Sequence, residues 1–372
     1  MSDIPPDSPS RKISISSDDL TDATVTARVQ QMQTTAGPGM IRNVGVAQPS
    51  TTSSARFGRN AAILAALGLA GGVSGALFAE LVAGGDEPRW TNATLSTAVV
   101  TSIFALCLGC ALLAWSGINS KSGAKVGRDL AKGLPIVVIG GALGGIAAQQ
   151  IFYPLARDAN EKALEADNFE EYTQILANSL HLPRAIGFML VGLAVGIGLG
   201  FAARSVKRGQ NAVIGGLVGG FIGGYLFDYI GIWFGAESGT VPRLVAFAVT
   251  GTLIGLGIGL VDDLRRDLWL EIASGGMAGK QFIVWEQRCV IGSDPSCDIT
   301  LIKDPAIAPQ HVALVRSGGS VTIECVPGAP AIRVDGADTV NSPISEGSMI
   351  QIGQTVLRVG QKNAALPTFA GQ

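Results

Sequence analysis

Six long apolar runs, at about 60–84, 95–118, 134–156, 183–203, 211–234 and 242–261, dominate the first two thirds of the chain. After residue 267 the pattern changes to short alternating segments. Each apolar run is near the ~20 residues that a helix needs to cross a ~30 Å hydrocarbon core. Lipid offers the backbone no hydrogen-bond partners, and the runs lack the period-2 alternation of barrel strands, so the pattern predicts helices. The expectation is a six-helix transmembrane domain over 59–262. Ahead of it, 1–58 is rich in Ser, Thr, Gln, Pro and Asp. Such a segment buries too little apolar surface to offset its ordering entropy and reads as a disordered tail, with a weak helical pattern at 23–32. Its polar, acidic start does not read as a cleavable signal peptide.

Charge orients the spans. Arg56 and Arg59 precede the first helix, and Lys121, Lys125, Arg128 and Lys132 lie between the second and third. Arg204, Lys207 and Arg208 lie between the fourth and fifth, and Arg265 and Arg266 follow the sixth. The alternate connections are acidic: Asp86 and Glu87, the stretch Asp158 to Glu171, and Glu237. By the positive-inside rule both termini are cytosolic.

The spans repeat. GGVSGALFAE from Gly71, GGALGGIAAQ from Gly140 and GGFIGGYLFD from Gly219 align without gaps, each twelve residues after a basic residue (Arg59, Arg128, Lys207). The fourth and sixth helices match as Pro183-Arg184 with Gly192, Gly196, Gly198 and Gly200, and Pro242-Arg243 with Gly251, Gly255, Gly257 and Gly259. The second keeps an echo in Ala105, Gly109 and Ala111. This predicts one helical hairpin present three times, its small residues letting backbones approach closely. The aligned stretches end in Glu80, Gln149 and Asp228, a candidate polar site near the outer face if the hairpins surround an axis, or interfacial side chains reaching water. In the outer segment 157–182, Leu164, Phe169, Tyr172, Leu176 and Leu180 fall near helical spacing and predict an amphipathic helix on the bundle or membrane surface.

From 267 to 360, LWLEIA, QFIVWE, RCVIG, DITLI, VALVR, VTIECV, AIRV, MIQIG and TVLRV alternate with Gly, Pro, Asp and Ser clusters. Many short strands without helix predict a β-sandwich, with Val321, Ile323 and Cys325 on one face. Residues 361–372 read as a flexible tail. The overall fold class expected is therefore multi-domain: a six-helix bundle followed by an all-β sandwich.

Composition narrows the function. Fifty glycines and 47% hydrophobic content accompany only 15% charged residues, and the net charge of -2 gives no basis for nucleic-acid binding. Two histidines and five scattered cysteines argue against a metal or other cofactor. Cys107 and Cys110 sit inside an apolar run, where small packing residues are expected. No nucleotide-binding loop or catalytic motif is present, so no enzyme is expected.

The stretch VIGSDPSCDITLIKDPAIAPQHVALVR, Val290 to Arg316, resembles the core of forkhead-associated (FHA) domains: strand, Gly-Arg, Asp-Ile-x-Leu, then Ser-x-x-His leading into a strand. Gly292, Asp298, Ile299, Leu301 and His311 carry the match, and the flanks GGMAGKQFIV and EGSMIQIGQTVLRV extend it. The resemblance implies a sandwich whose end loops bind phosphothreonine peptides through an Arg, a Ser and an Asn. Here those positions are Ser293, Ala308 and, in Asp335-Gly336, Asp335. Loss of the guanidinium and a hydroxyl, with a carboxylate added, disfavours phosphate. The resemblance casts His311 as a buried loop organiser, and Gly292 reads as a turn requirement.

The expected function is a membrane-anchored signalling or scaffold protein. Its FHA-like module would bind a cytosolic protein partner with weak or no phosphothreonine dependence. The N-terminal tail, with Thr21, Thr24 and Thr26 among acidic residues, is a second candidate ligand. The alternative is a small channel or transporter with an FHA-like regulatory or assembly domain.

Overall fold

The computed structural model describes residues 58–84, 91–233, 239–317 and 319–362. The N-terminal tail before residue 58, Asp86, Glu87, Glu237 and residues 363–372 lie outside the described residues.

Six helices come first: α1 (Arg59–Ala83), α2 (Ala93–Asn119), α3 (Gly123–Ala163), α4 (Phe169–Ala203), α5 (Val206–Trp233) and α6 (Thr240–Arg265). Each contains a segment long and apolar enough to cross a membrane. Side-chain caps start three of them: Asn92 accepts from Leu95 N–H, Ser122 from Lys125 N–H, and Asn168 from Glu171 N–H.

Sequential helices are neighbours, and α1 also packs along α6, so the six close into a ring. Helices α2, α4 and α6 meet at its centre. There Phe104, Phe188 and Phe247 pack with ring centroids 5.0–5.7 Å apart, and Phe227 joins at 5.3–5.4 Å. Leu108, Leu112, Val191, Val195, Ile254 and Ile258 are fully buried around them. The centre of the ring is thus a packed apolar core.

The seams between hairpins depend on glycine. A Cβ on Gly192 would lie 2.0 Å from the Gly216 carbonyl oxygen, and one on Gly216 would lie 2.3 Å from that of Gly192. At the equivalent register, Gly68 and Gly251 stand in the same relation at 2.1 and 2.4 Å. Backbones this close gain the van der Waals contact that holds helices together in lipid.

The outer segment differs from the sequence expectation. No separate surface helix spans 157–182; α3 runs on to Ala163, α4 begins at Phe169, and only a short turn separates them. The 41 residues of α3 give it a length of roughly 60 Å, so it outreaches the bilayer core. The apolar spacing was that of two helix extensions. Tyr172 Oη donating to Asn160 Oδ1 at 3.1 Å links them.

Only Arg266 and Asp267 separate α6 from the sandwich. Its strands are β1 (Leu268–Ser274), β2 (Gln281–Ile283), β3 (Arg288–Gly292), β4 (Ile299–Thr300), β5 (Val312–Ser317), β6 (Ser320–Cys325), β7 (Ile332–Val334), β8 (Ala337–Thr339), β9 (Asn341–Ile344), β10 (Met349–Ile352) and β11 (Thr355–Gln361). They form one sheet in the order β2-β1-β11-β10-β7-β8 and another in the order β4-β3-β5-β6-β9. Leu270, Ile272, Ile291, Leu314, Ile323, Ile350, Ile352 and Leu357 fill the space between, fully buried. Val321, Ile323 and Cys325 do share one face against this core. Strands β8 and β9 are absent from the sequence reading. Both are short, polar edge strands, β9 carrying Pro343, so neither shows apolar alternation.

Candidate functional site

The loop end of the sandwich is organised by His311, only 1% exposed. Its Nδ1 accepts from Ala308 N–H at 3.0 Å, and its Nε2–H donates to Pro330 O at 3.1 Å. One imidazole therefore ties the β4–β5 loop to the β6–β7 loop. Burial holds its pKa below the ordinary value, which fits the neutral tautomer these bonds require. On the other side, Ser293 N–H donates to Ala308 O at 3.0 Å and Asp294 N–H to Pro309 O at 3.1 Å.

Gly292 belongs to this junction for a different reason from the one its sequence context gave. It ends β3 and has no positive φ. A Cβ there would stand 2.1 Å from Pro309 O, so the requirement is close approach of the β4–β5 loop, not a turn conformation.

Ser293, Ala308 and His311 are thus brought together; Asp335 is not with them. It lies past the far end of β7 from Pro330, in the β7–β8 hairpin, with φ 51° followed by Gly336 at 89°. Its N–H donates to Met349 O at 2.9 Å and its Oδ1 accepts from Met349 N–H at 2.7 Å. Asp335 is a turn residue closing the β7–β8 hairpin onto β10.

The assembled loops offer little to a phosphate. Ser293 supplies a hydroxyl, Ala308 a methyl, and the neighbouring Asp294 a carboxylate. Hydrogen bonds from the Ser296 hydroxyl and backbone N–H hold the Asp294 pKa below the usual range, so it is charged at neutral pH. Asp304, buried under the β4–β5 loop, accepts from Ala306 N–H, Gln354 N–H and Thr355 Oγ1. It fixes the loop and is not available to a ligand.

The β3–β4 loop is also held from below. Lys125, 7% exposed, donates from Nζ to Asp298 O at 2.8 Å and Cys297 O at 3.4 Å, and Arg128 donates to Pro295 O. Asn119 Nδ2 donates to Gln281 O at 3.1 Å, Lys280 to Asn119 O, and Lys362 Nζ to Leu264 O at 2.9 Å. The sandwich is docked on the α2–α3 turn. In the sequence Lys125 and Arg128 read as topology signals, and Arg128 also as a repeat marker; neither pattern shows this docking role.

At the other end of the bundle, Glu80, Gln149 and Asp228 occupy three different seams. Glu80 pairs with Arg243 of α6 at 2.6 and 3.2 Å, and Asp228 with Arg184 of α4 at 3.1 Å. Gln149 Oε1 accepts from Thr97 Oγ1 at 2.9 Å. Thr97 stands eight residues before Ala105, as Arg184 and Arg243 stand eight before Gly192 and Gly251. One polar link therefore recurs at the same register in every seam, and the three residues fasten adjacent hairpins to each other. Among the described residues no three His, Cys, Asp or Glu side chains gather as a metal site needs.

Residues 271–363 match the family described as "Inner membrane component of T3SS, cytoplasmic domain". With the two-sheet topology, the match establishes the C-terminal region as an FHA-like domain. Among solved structures, the FHA domain of a Chlamydia trachomatis protein is 24% identical, covering 26% of this chain and 99% of that one, with a TM-score of 0.24. The cytoplasmic domain of the T3SS sorting platform protein PscD from P. aeruginosa is 24% identical, covering 27% and 85%, with a TM-score of 0.24. An FHA domain from a study of phosphothreonine-dependent FHA domain interactions is 15% identical, covering 26% and 98%, also at 0.24. No curated protein sequence matches the chain.

Proposed function

We propose that the chain is a non-catalytic, multi-pass membrane scaffold with both termini in the cytosol. It presents its FHA-like domain there to a protein partner whose binding depends weakly or not at all on phosphothreonine. The observation that carries this reading is the β3–β4 loop. It brings Ser293 and a charged Asp294 where the resemblance implies an arginine, and Lys125 and Arg128 hold its remainder against the bundle. A rigidly docked module with two short linker residues suits a fixed assembly point better than a mobile phosphopeptide reader. The family matched by 271–363 is described as an inner membrane component, which supports placement at a membrane. The apolar core around Phe104, Phe188 and Phe247 gives the channel or transporter alternative no favouring observation. The N-terminal tail remains a candidate ligand in cis, where tethering supplies millimolar effective concentration.

The test is titration of the full chain in lipid nanodiscs with matched threonine and phosphothreonine peptides, including the 15–35 segment phosphorylated at Thr21 or Thr24. Affinities within about threefold of each other are expected, a difference under about 0.7 kcal/mol. Restoring Ser293→Arg with Ala308→Ser should open a gap of tenfold or more, since charge-assisted bonds contribute about 1.5–3 kcal/mol each. Strong phosphate preference by the unaltered chain would overturn the reading.

A further inference from the structure

Between the bundle and the sandwich, beneath the β3–β4 loop, lies a cavity of ≈ 180 Å³. Its bundle wall carries Lys132 on α3, Arg204 in the turn after α4 and Arg208 on α5. None of these three side chains is given a hydrogen bond or ion pair by any other described residue. Lys132 lies close enough to Arg204 and Arg128 to be repelled by both. Arg204 holds a left-handed backbone at φ 54°, a conformation that costs a non-glycine residue energy and recurs at functional sites.

The carboxylates on the bundle side reach these cations only at a distance, Asp129 attracting Lys132 and Asp262 attracting Arg208 without an ion pair to either. Asp129 accepts from Ser116 and pairs with Arg128 at 3.4 Å, and Asp262, although near Arg208, accepts from Asn211 Nδ2 at 3.3 Å. On the sandwich wall Glu286 buries its Oε1 without a hydrogen-bond partner. A buried acceptor left without a donor is unfavourable and marks a place where one belongs. The cavity thus pairs cations that hold no ion pair on one wall with an acceptor that holds no donor on the other.

We propose that it binds a polyol phosphate ester, the phosphate facing Lys132, Arg204 and Arg208 and a hydroxyl donating to Glu286. The volume is too small for a drug-sized ligand but fits a headgroup. Basic pockets between helices at the cytosolic membrane face are suited to anionic lipid headgroups. The same chemistry is offered by a polyol phospholipid and by a soluble polyol phosphate.

The test is native mass spectrometry of the detergent-purified full chain with dioleoyl phosphatidylglycerol, phosphatidic acid or phosphatidylcholine, with glycerol phosphate as soluble competitor. Phosphatidylglycerol should be retained at least about tenfold better than phosphatidylcholine, and Arg204→Gln with Arg208→Gln should lose that margin, since each charge-assisted bond contributes more than a tenfold factor. Lys207→Gln, on the same turn but off the lining, should keep it. Glu286→Met, which removes the acceptor, should erase the preference for phosphatidylglycerol over phosphatidic acid, which lacks the hydroxyl. Competition by glycerol phosphate assigns the soluble source, and its failure assigns the lipid. If the double variant does not fold, Lys132→Gln and Glu286→Met carry the test. Equal retention of phosphatidylcholine, retention unchanged in the lining variants, or an equal loss in Lys207→Gln would overturn the proposal.

Discussion

Gly292→Ala should unfold the loop end of the sandwich from one methyl group. The added Cβ would stand 2.1 Å from Pro309 O and 2.9 Å from Gln310 Cα, against an ordinary contact near ~3.5 Å. The carbonyl must therefore retreat by more than about 1 Å. It does not move alone: Pro309 O accepts from Asp294 N–H at 3.1 Å and Cys297 Sγ at 3.1 Å, and Ala308 O accepts from Ser293 N–H at 3.0 Å. Overpacking of this kind costs about 1–3 kcal/mol, and each bond lost adds about 1 kcal/mol. The expected destabilisation is about 2–4 kcal/mol, a large part of a domain's usual margin. Gly336→Ala is the comparison, with open space around it but φ 89°, for an expected cost of about 1–2 kcal/mol. Chemical denaturation of the full chain in micelles, read by hydrogen exchange at the β3 and β5 amides, measures both. A Gly292→Ala chain within about 0.5 kcal/mol of wild type, or less affected than Gly336→Ala, would refute the close-approach reasoning.

His311 gives a pH dependence. Its folded pKa is depressed by burial, so below the ordinary value of 6.5 the unfolded chain binds the proton and the folded one resists it. Sandwich stability should be constant above about pH 7.5 and fall as pH drops through about 6.5, and His311→Phe should flatten that part of the thermal-melt profile. Gly192→Val should separate α4 from α5, because its Cβ would meet the Gly216 carbonyl at 2.0 Å; a cysteine cross-link across that seam should then lose its yield. For Glu80 and Arg243, partly exposed at 18% and 33%, a double-mutant cycle in micelles should give a coupling of about 1 kcal/mol, reduced by salt. A coupling of zero would leave the pair without a part in closing the ring.

Much of this architecture was legible because its signals are local. Apolar runs announce spans, and the aligned ends at Glu80, Gln149 and Asp228 announced a shared register; that they pair with Arg243, Thr97 and Arg184 in separate seams, and do not converge on an axis, is seen only in the structure. The docking was not legible. Lys125 and Arg128 sit in a basic loop that charge asymmetry already explains, and their acceptors are carbonyls of Pro295, Cys297 and Asp298, which any sequence could supply. Gly292 misled because a glycine needed for close approach and one needed for a turn look the same in one dimension. Asp335 misled for a related reason: Asp-Gly is a turn signal that carries no information about which end of a strand it caps.

The claim that the chain spans the membrane and holds its FHA-like domain in the cytosol is tested most directly by cysteine labelling in intact cells. The native thiols are buried or half-buried, so wild-type labelling sets the background. Glu165→Cys, exposed in the turn between α3 and α4, should react with a membrane-impermeant maleimide in intact cells. Gly127→Cys, near the docking surface, and Glu346→Cys, on the sandwich, should react only after lysis. Labelling of Glu346→Cys in intact cells with protection of Glu165→Cys would contradict the account, placing the sandwich where no cytosolic partner could reach it.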